Sequence, residues 1–226
     1  MNLLCGALGV IFAFKGSLDL AFYMMLAGAV CDFCDGLSAR ALKAYSPMGK
    51  ELDSLADLIT FGLLPSIMLH RRLIEGGVTG FWAYFPLIIV VFSALRLAKF
   101  NVDDRQGENF LGLPTPACAM WCGSLIYAAD HGVMSMANLL HDTHLILISS
   151  AILAILLVSE IPMFSMKFKK SSVGTVAHKQ RIGFLAVVLV SCITVPALGL
   201  NWAMIPLTVF VFYVLLNLIF WIFRQN

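Results

Sequence analysis

"CDFCDGLSARALKAYSPMGKELDSLADLITFG", Cys31 to Gly62, sets Asp32, Asp35, Asp53 and Asp57 inside a chain that is otherwise oil-like. Of its 226 residues, 60% are hydrophobic and only 12% charged, and the mean hydropathy is +0.90. That composition excludes an ordinary soluble domain and describes a polytopic membrane protein. An ionised carboxylate near the middle of a bilayer costs at least about 2.5–3.5 kcal/mol, so four of them in one stretch need compensation and a role.

Outward from this stretch, apolar runs recur at 2–14, 18–39, 55–70, 81–98, 115–129, 145–164, 183–200 and 203–223. Most approach the roughly 20 residues that a helix needs to cross about 30 Å of hydrocarbon. They predict an all-α bundle of about eight helices, organised as one transmembrane domain over 1–226. The first run is short for a full span. It lacks the basic start, apolar core and small-residue cleavage site of a signal peptide. Eight spans return both termini to one side. That side collects Arg40, Lys43, Lys50, Arg96, Lys99, Arg105, Lys167, Lys169, Lys170, Lys179, Arg181 and Arg224, against Lys15, Arg71 and Arg72 on the other. The bias marks the first side as cytoplasmic and places the aspartates at the cytoplasmic face of the cell membrane. The loop "KFKKSSVGTVAHKQR" (Lys167 to Arg181) either attracts anionic membrane lipids or serves as a plain topology signal. Nothing in a formal charge of +2 points to nucleic acid.

Two other patterns invite a metal reading. "CDFC" (Cys31, Cys34) and "CAMWC" (Cys118, Cys122) pair cysteines within apolar helical runs, where small buried hydrophobes are expected rather than zinc ligands. "HDTH" (His141, Asp142, His144) falls between two spans and reads as a solvated loop.

The aspartates are different. Asp32 and Asp35 are three apart and Asp53 and Asp57 four apart, so each pair shares one helix face. The helices break at "YSPMG", where Pro47 cannot continue a helix and Gly49 permits a tight backbone. Two helices joined there can aim four carboxylates at one pocket. Hard oxygen ligands in that number suit two divalent cations, Mg²⁺ or Mn²⁺, in the paired arrangement used for phosphoryl chemistry. Gly36 leaves space beside Asp35, Ala39 leaves room one turn on, and Arg40 can fork onto phosphate oxygens, so the site reads as one for a diphosphate. The competing readings are solvated helix-end charges, salt bridges to Arg40, Lys43 and Lys50, or the carboxylates of a cation transporter. The transporter leaves Gly36, Ala39, Arg40 and Gly49 unexplained.

The run Asp32-x-x-Asp35-Gly36-x-x-Ala39-Arg40, followed after eight residues by Gly49-x-x-x-Asp53-x-x-x-Asp57, resembles the complete signature of the CDP-alcohol phosphotransferase family, carried by residues 32–57. The resemblance implies displacement of CMP from a CDP-linked donor by an alcohol, with two divalent metals held by the aspartates, Asp57 as general base, and a homodimer. The stretches "GKELDSLADLITFG" (Gly49 to Gly62), "LRLAKFN" (Leu95 to Asn101), "FLGLPTPA" (Phe110 to Ala117) and "IPMFSMKF" (Ile161 to Phe168) resemble the branch whose acceptor is serine. The implied reaction is CDP-diacylglycerol plus L-serine giving phosphatidylserine and CMP. Glycerol 3-phosphate and an inositol phosphate are the alternative acceptors. Serine brings a carboxylate that needs a cation. Arg96 and Lys99, three apart at the end of their helix, can share a face toward the aspartates with Asn101 just beyond, unless they are interfacial anchors.

Overall fold

The computed structural model describes residues 1–42, 46–102, 109–131, 142–164 and 176–225, with the side chains of 40, 109–110, 164, 176–181 and 223–225 outside that description. The eight apolar runs become eight helical units among the described residues. The first two are α1 (Asn2–Phe14) and α2 (Leu18–Ala41). The third unit runs from Pro47 to Glu75 as α3 (Pro47–Asp57), a π-helical segment (Leu58–Leu63) and α4 (Leu64–Glu75). The fourth comprises α5 (Phe81–Tyr84), a 3₁₀ turn (Phe85–Leu87) and α6 (Ile88–Val102). Then follow α7 (Thr115–His131), α8 (Thr143–Val158), α9 (Val176–Ala197) and α10 (Met204–Gln225). Among the described residues, four helices are long and apolar enough to cross a membrane: Leu18–Ala39, Pro47–Glu75, Phe81–Val102 and Met204–Ile222. Asn2–Phe14, Thr143–Val158 and Ile182–Ala197 are shorter apolar helices. The chain is a polytopic helical membrane protein.

The α1–α2 hairpin turns on Gly16 (φ +81°). The Gly16 N–H bonds to the Ala13 carbonyl and the Ser17 N–H to the Phe12 carbonyl, at 3.0 and 2.9 Å, a left-handed helix stop that glycine adopts without Cβ strain. Packing then follows from which faces are apolar. Helix α4 is buried along nearly its whole length, from Leu64 through His70 and at Leu73. Helices α1 and α7 and the π-helical segment pack against it. Phe22, Met25, Phe61, Leu64, Met68, Leu69, Ile89 and Leu125 form the centre of the core. Large apolar side chains such as Val30, Leu95, Ile155 and Ile193 remain exposed, as expected where the solvent is lipid. At the end remote from the aspartates, Arg72 pairs with Asp130 and Arg71 with Glu75, tying α4 to α7 and capping its own last turn.

Several boundaries differ from the sequence reading. The third helix begins at Pro47 rather than 55, because Ser46 caps it: its hydroxyl accepts the Gly49 N–H at 3.0 Å, with Pro47 in the first turn. The sixth helix ends at Val158 rather than 164. Residues Pro162–Phe164 (β2) instead pair antiparallel with Asn109–Leu111 (β1), Phe110 opposite Met163, so the all-α bundle carries one small two-stranded ladder. Pro162 cannot continue a helix and biases the residue before it toward extended backbone. Within "HDTH", Asp142 caps α8 by accepting the His144 N–H at 2.9 Å, while His141 lies outside the described residues.

Candidate active site

The site is built where α2 and α3 meet. Asp32 on α2 and Asp53 and Asp57 on α3 each offer a carboxylate oxygen, and the three atoms lie within 4.8 Å of one another. Among the described side chains no lysine or arginine forms an ion pair with these three. Like charges about 4 Å apart repel by about 4 kcal/mol per pair at an effective dielectric of about 20, so the cluster calls for cations. Asp57 is half-buried and accepts a hydrogen bond from Asn2 Nδ2 at 3.0 Å.

Asp35 stands one helical turn beyond Asp32, and its side chain is 64% exposed. It is not in the three-carboxylate cluster, but with Asp53 and Gly49 it lines a cavity of about 590 Å³ whose other wall is apolar, including Leu3, Leu4, Leu52 and Ala56. The cavity thus has an acidic end at Asp35 and Asp53 and an apolar wall of leucines. Gly36 and Ala39 sit on the α2 stretch that borders the acids, Gly36 exposed and Ala39 half-buried. The Arg40 side chain lies outside the described residues, as do Lys43, Arg105 and the basic stretch Lys167, Lys169 and Lys170.

The three acceptor residues read from the sequence are separated by depth. Arg96 is 8% exposed; its Nη1 donates to Thr115 Oγ1 at 2.7 Å, and its Nε finds no partner among the described residues. It is close enough to Asp57 for mutual attraction. Lys99 lies one turn nearer the helix end and pairs outward with Glu160 at 3.1 Å. Asn101 is taken up by α3: its Nδ2 donates to Ser54 Oγ at 3.0 Å and to Glu51, and its carbonyl accepts from Lys50 Nζ at 3.0 Å. The structure therefore sets Arg96 behind the acids and uses Asn101 to hold the first turns of α3 beside them.

Sequence reasoning did not pair Asn2 with Asp57 and did not single out Thr60 for this site. Asn2 is 4% exposed and Thr60 fully buried. The available signal was physical: a carboxamide in the first turn of an apolar helix is costly to bury unless it has a hydrogen-bonding partner. All six cysteines are free thiols, Cys118 and Cys122 buried within α7.

The family model of the CDP-alcohol phosphatidyltransferases matches residues 1–144, and the chain belongs to that family. It is 34% identical over 119 residues to the CDP-diacylglycerol–serine O-phosphatidyltransferase of Bacillus subtilis, covering 53% of this chain and 67% of that protein. It is 31% identical over 156 residues to the archaetidylserine synthase of Methanothermobacter thermautotrophicus, covering 66% and 64%. The serine O-phosphatidyltransferase of Mycobacterium leprae is 35% identical over 127 residues, covering 53% of this chain and 42% of that one. The matched region thus spans about two thirds of the first two relatives and less than half of the third.

Proposed function

We propose that this protein transfers the phosphatidyl group of CDP-diacylglycerol to L-serine, giving phosphatidylserine and CMP. The observation that carries the reading is the convergence of Asp32, Asp53 and Asp57 within a family whose similar members are named for serine transfer. Three carboxylates with no lysine or arginine paired to them among the described side chains are a donor set that fits hard divalent ions. Asp32, Asp35, Asp53 and Asp57 would hold two of them, Mg²⁺ or Mn²⁺. When bound, these ions neutralise the diphosphate and the departing CMP.

The chain's own groups do the rest. Gly36, Ala39 and Gly49 leave open the path by which the donor's diphosphate reaches the acids, and Arg40 binds its phosphate oxygens. The serine hydroxyl attacks the phosphorus bonded to diacylglycerol, the bond to the CMP oxygen breaks, and Asp57 accepts the hydroxyl proton. Arg96, buried and bonded to Thr115, pairs with the serine carboxylate, with Lys99 and Asn101 as further acceptor contacts. Acyl chains stay in lipid against the leucines of α1 and α3. The aspartate end faces the cytoplasm of the cell membrane with both termini beside it, and the protein works as a homodimer.

The test is release of CMP by purified protein supplied with CDP-diacylglycerol, Mg²⁺ or Mn²⁺, and one alcohol at a time. Serine-dependent release supports the reading. Release only with glycerol 3-phosphate or an inositol phosphate moves the acceptor, and no release with any alcohol overturns transferase activity in favour of a cation-transport site.

A further inference from the structure

We propose that Asn2 is a positioning residue for Asp57, fixing one of its carboxylate oxygens so that the carboxylate stays aimed into the acidic cluster; the inference rests on the transfer reaction proposed above. Asn2 sits in the first turn of α1, fifty-five residues from Asp57 in sequence, and donates Nδ2–H to Asp57 Oδ1 at 3.0 Å. Its own main-chain carbonyl accepts the Thr60 hydroxyl at 3.1 Å. One residue of α1 therefore grips the chain on both sides of the point where α3 passes into its π-helical segment.

The contact is built into the packing. A Cβ on Gly6 would stand 2.3 Å from Thr60 Oγ1 and 2.9 Å from Thr60 Cα, and one on Gly28 would stand 2.6 Å from Thr60 Cγ2 and 3.2 Å from Asn2 Oδ1. Two glycines on two helices thus admit this close approach. Asn2 Oδ1 is buried without a partner among the described residues, so the carboxamide is not held for its own hydrogen-bond satisfaction. Its donor side alone is used, and it is used on the carboxylate that the reaction needs. Outer groups that orient carboxylates toward a metal commonly change metal affinity or activity by about 10–100-fold when removed.

The experiment measures Mn²⁺ binding to the full chain in detergent, by loss of the free-Mn²⁺ electron paramagnetic resonance signal, together with CMP release. Asn2→Ala is compared with wild type, and Asn2→Leu, which keeps a branched side chain, serves if the alanine variant fails to fold. The expected result is Mn²⁺ affinity about 10–100-fold weaker, kcat reduced to a similar degree and KM for serine within about threefold. The same substitution in an Asp57→Ala background is expected to cost no further Mn²⁺ affinity, because Asn2 acts through Asp57. Unchanged Mn²⁺ affinity in a folded Asn2 variant, or an equal loss in the Asp57→Ala background, overturns the proposal. Absence of CMP release by the wild-type chain, with the Mn²⁺ pattern as expected, overturns the transfer reading and supports the positioning role.

Discussion

Arg96 and Thr115 are joined by a hydrogen bond of 2.7 Å from Nη1 to Oγ1, both side chains buried. The bond ties α6 to the first turn of α7 and leaves the guanidinium Nε without a partner among the described residues. A buried cation with spare donors is a ready partner for a carboxylate. Arg96→Ala is expected to raise the apparent KM for serine about tenfold to a hundredfold, corresponding to a charged hydrogen bond of about 1.5–3 kcal/mol, with a smaller change for Lys99→Ala. Steady-state assays with each substrate varied in turn check this. A change confined to CDP-diacylglycerol would assign Arg96 to the donor.

Asp57→Asn keeps an oxygen that can still accept the Asn2 hydrogen bond, so the fold and donor binding should persist. Turnover should fall by about 10²–10⁴-fold, the usual worth of a general base, and by more if a metal ligand is lost as well. Single-turnover CMP release beside equilibrium binding of CDP-diacylglycerol separates the two effects. Full activity in this variant would remove Asp57 from the chemistry.

Asp53→Ala has a signature that needs no turnover. Asp53 is exposed and crowded by like charge, so removing it should leave the metal-free protein as stable as wild type or more so. Wild type should gain melting temperature as Mg²⁺ or Mn²⁺ is added, since a ligand of the folded state stabilises it by mass action. The variant should lose that gain along with metal-dependent donor binding. Differential scanning fluorimetry across a metal titration provides the comparison.

Gly6→Ala is expected to destabilise the protein by about 1–3 kcal/mol, because the new methyl meets the backbone of Thr60 as well as its side chain. Gly183→Ala, at a helical position with nothing within 4 Å of the added Cβ, serves as the control and should be neutral or mildly stabilising. Melting of the two variants under the same conditions gives the difference.

The eight helices were legible because burial in lipid demands long apolar runs, and the acidic pairs were legible because helical spacing fixes their faces. The start of the third helix was not, since α3 is polar and largely exposed and carries no apolar run; only Ser46 and Pro47 mark its beginning. The end of the sixth run was overread for the opposite reason: Ile161 and Met163 are apolar, yet Pro162 breaks the helix pattern between them. Arg96, Lys99 and Asn101 looked equivalent by spacing, but spacing gives direction around a helix and says nothing of depth. One turn along α6 separates a buried cation from one paired at the surface. Asn2 could not have been paired with Asp57 from sequence, because their meeting depends on how closely α1 approaches the third helical unit.

The π-helical segment Leu58–Leu63 sits directly after Asp57 in an otherwise continuous helix from Pro47 to Glu75. A π turn accommodates about one residue more than an α turn, and one residue is about 100° of rotation. Upstream lies the half that carries Asp53 and Asp57; downstream lies α4, locked by burial and unable to turn. The segment therefore works as an index mark between a fixed shaft and a dial. Deleting Ile59 from it would keep every carboxylate and the core side chains Phe61 and Leu64, yet swing the acids on α3 away from Asp32 and Asn2. Length across these six residues, none of them an aspartate, is thus as strict a condition on the site as the identity of the aspartates.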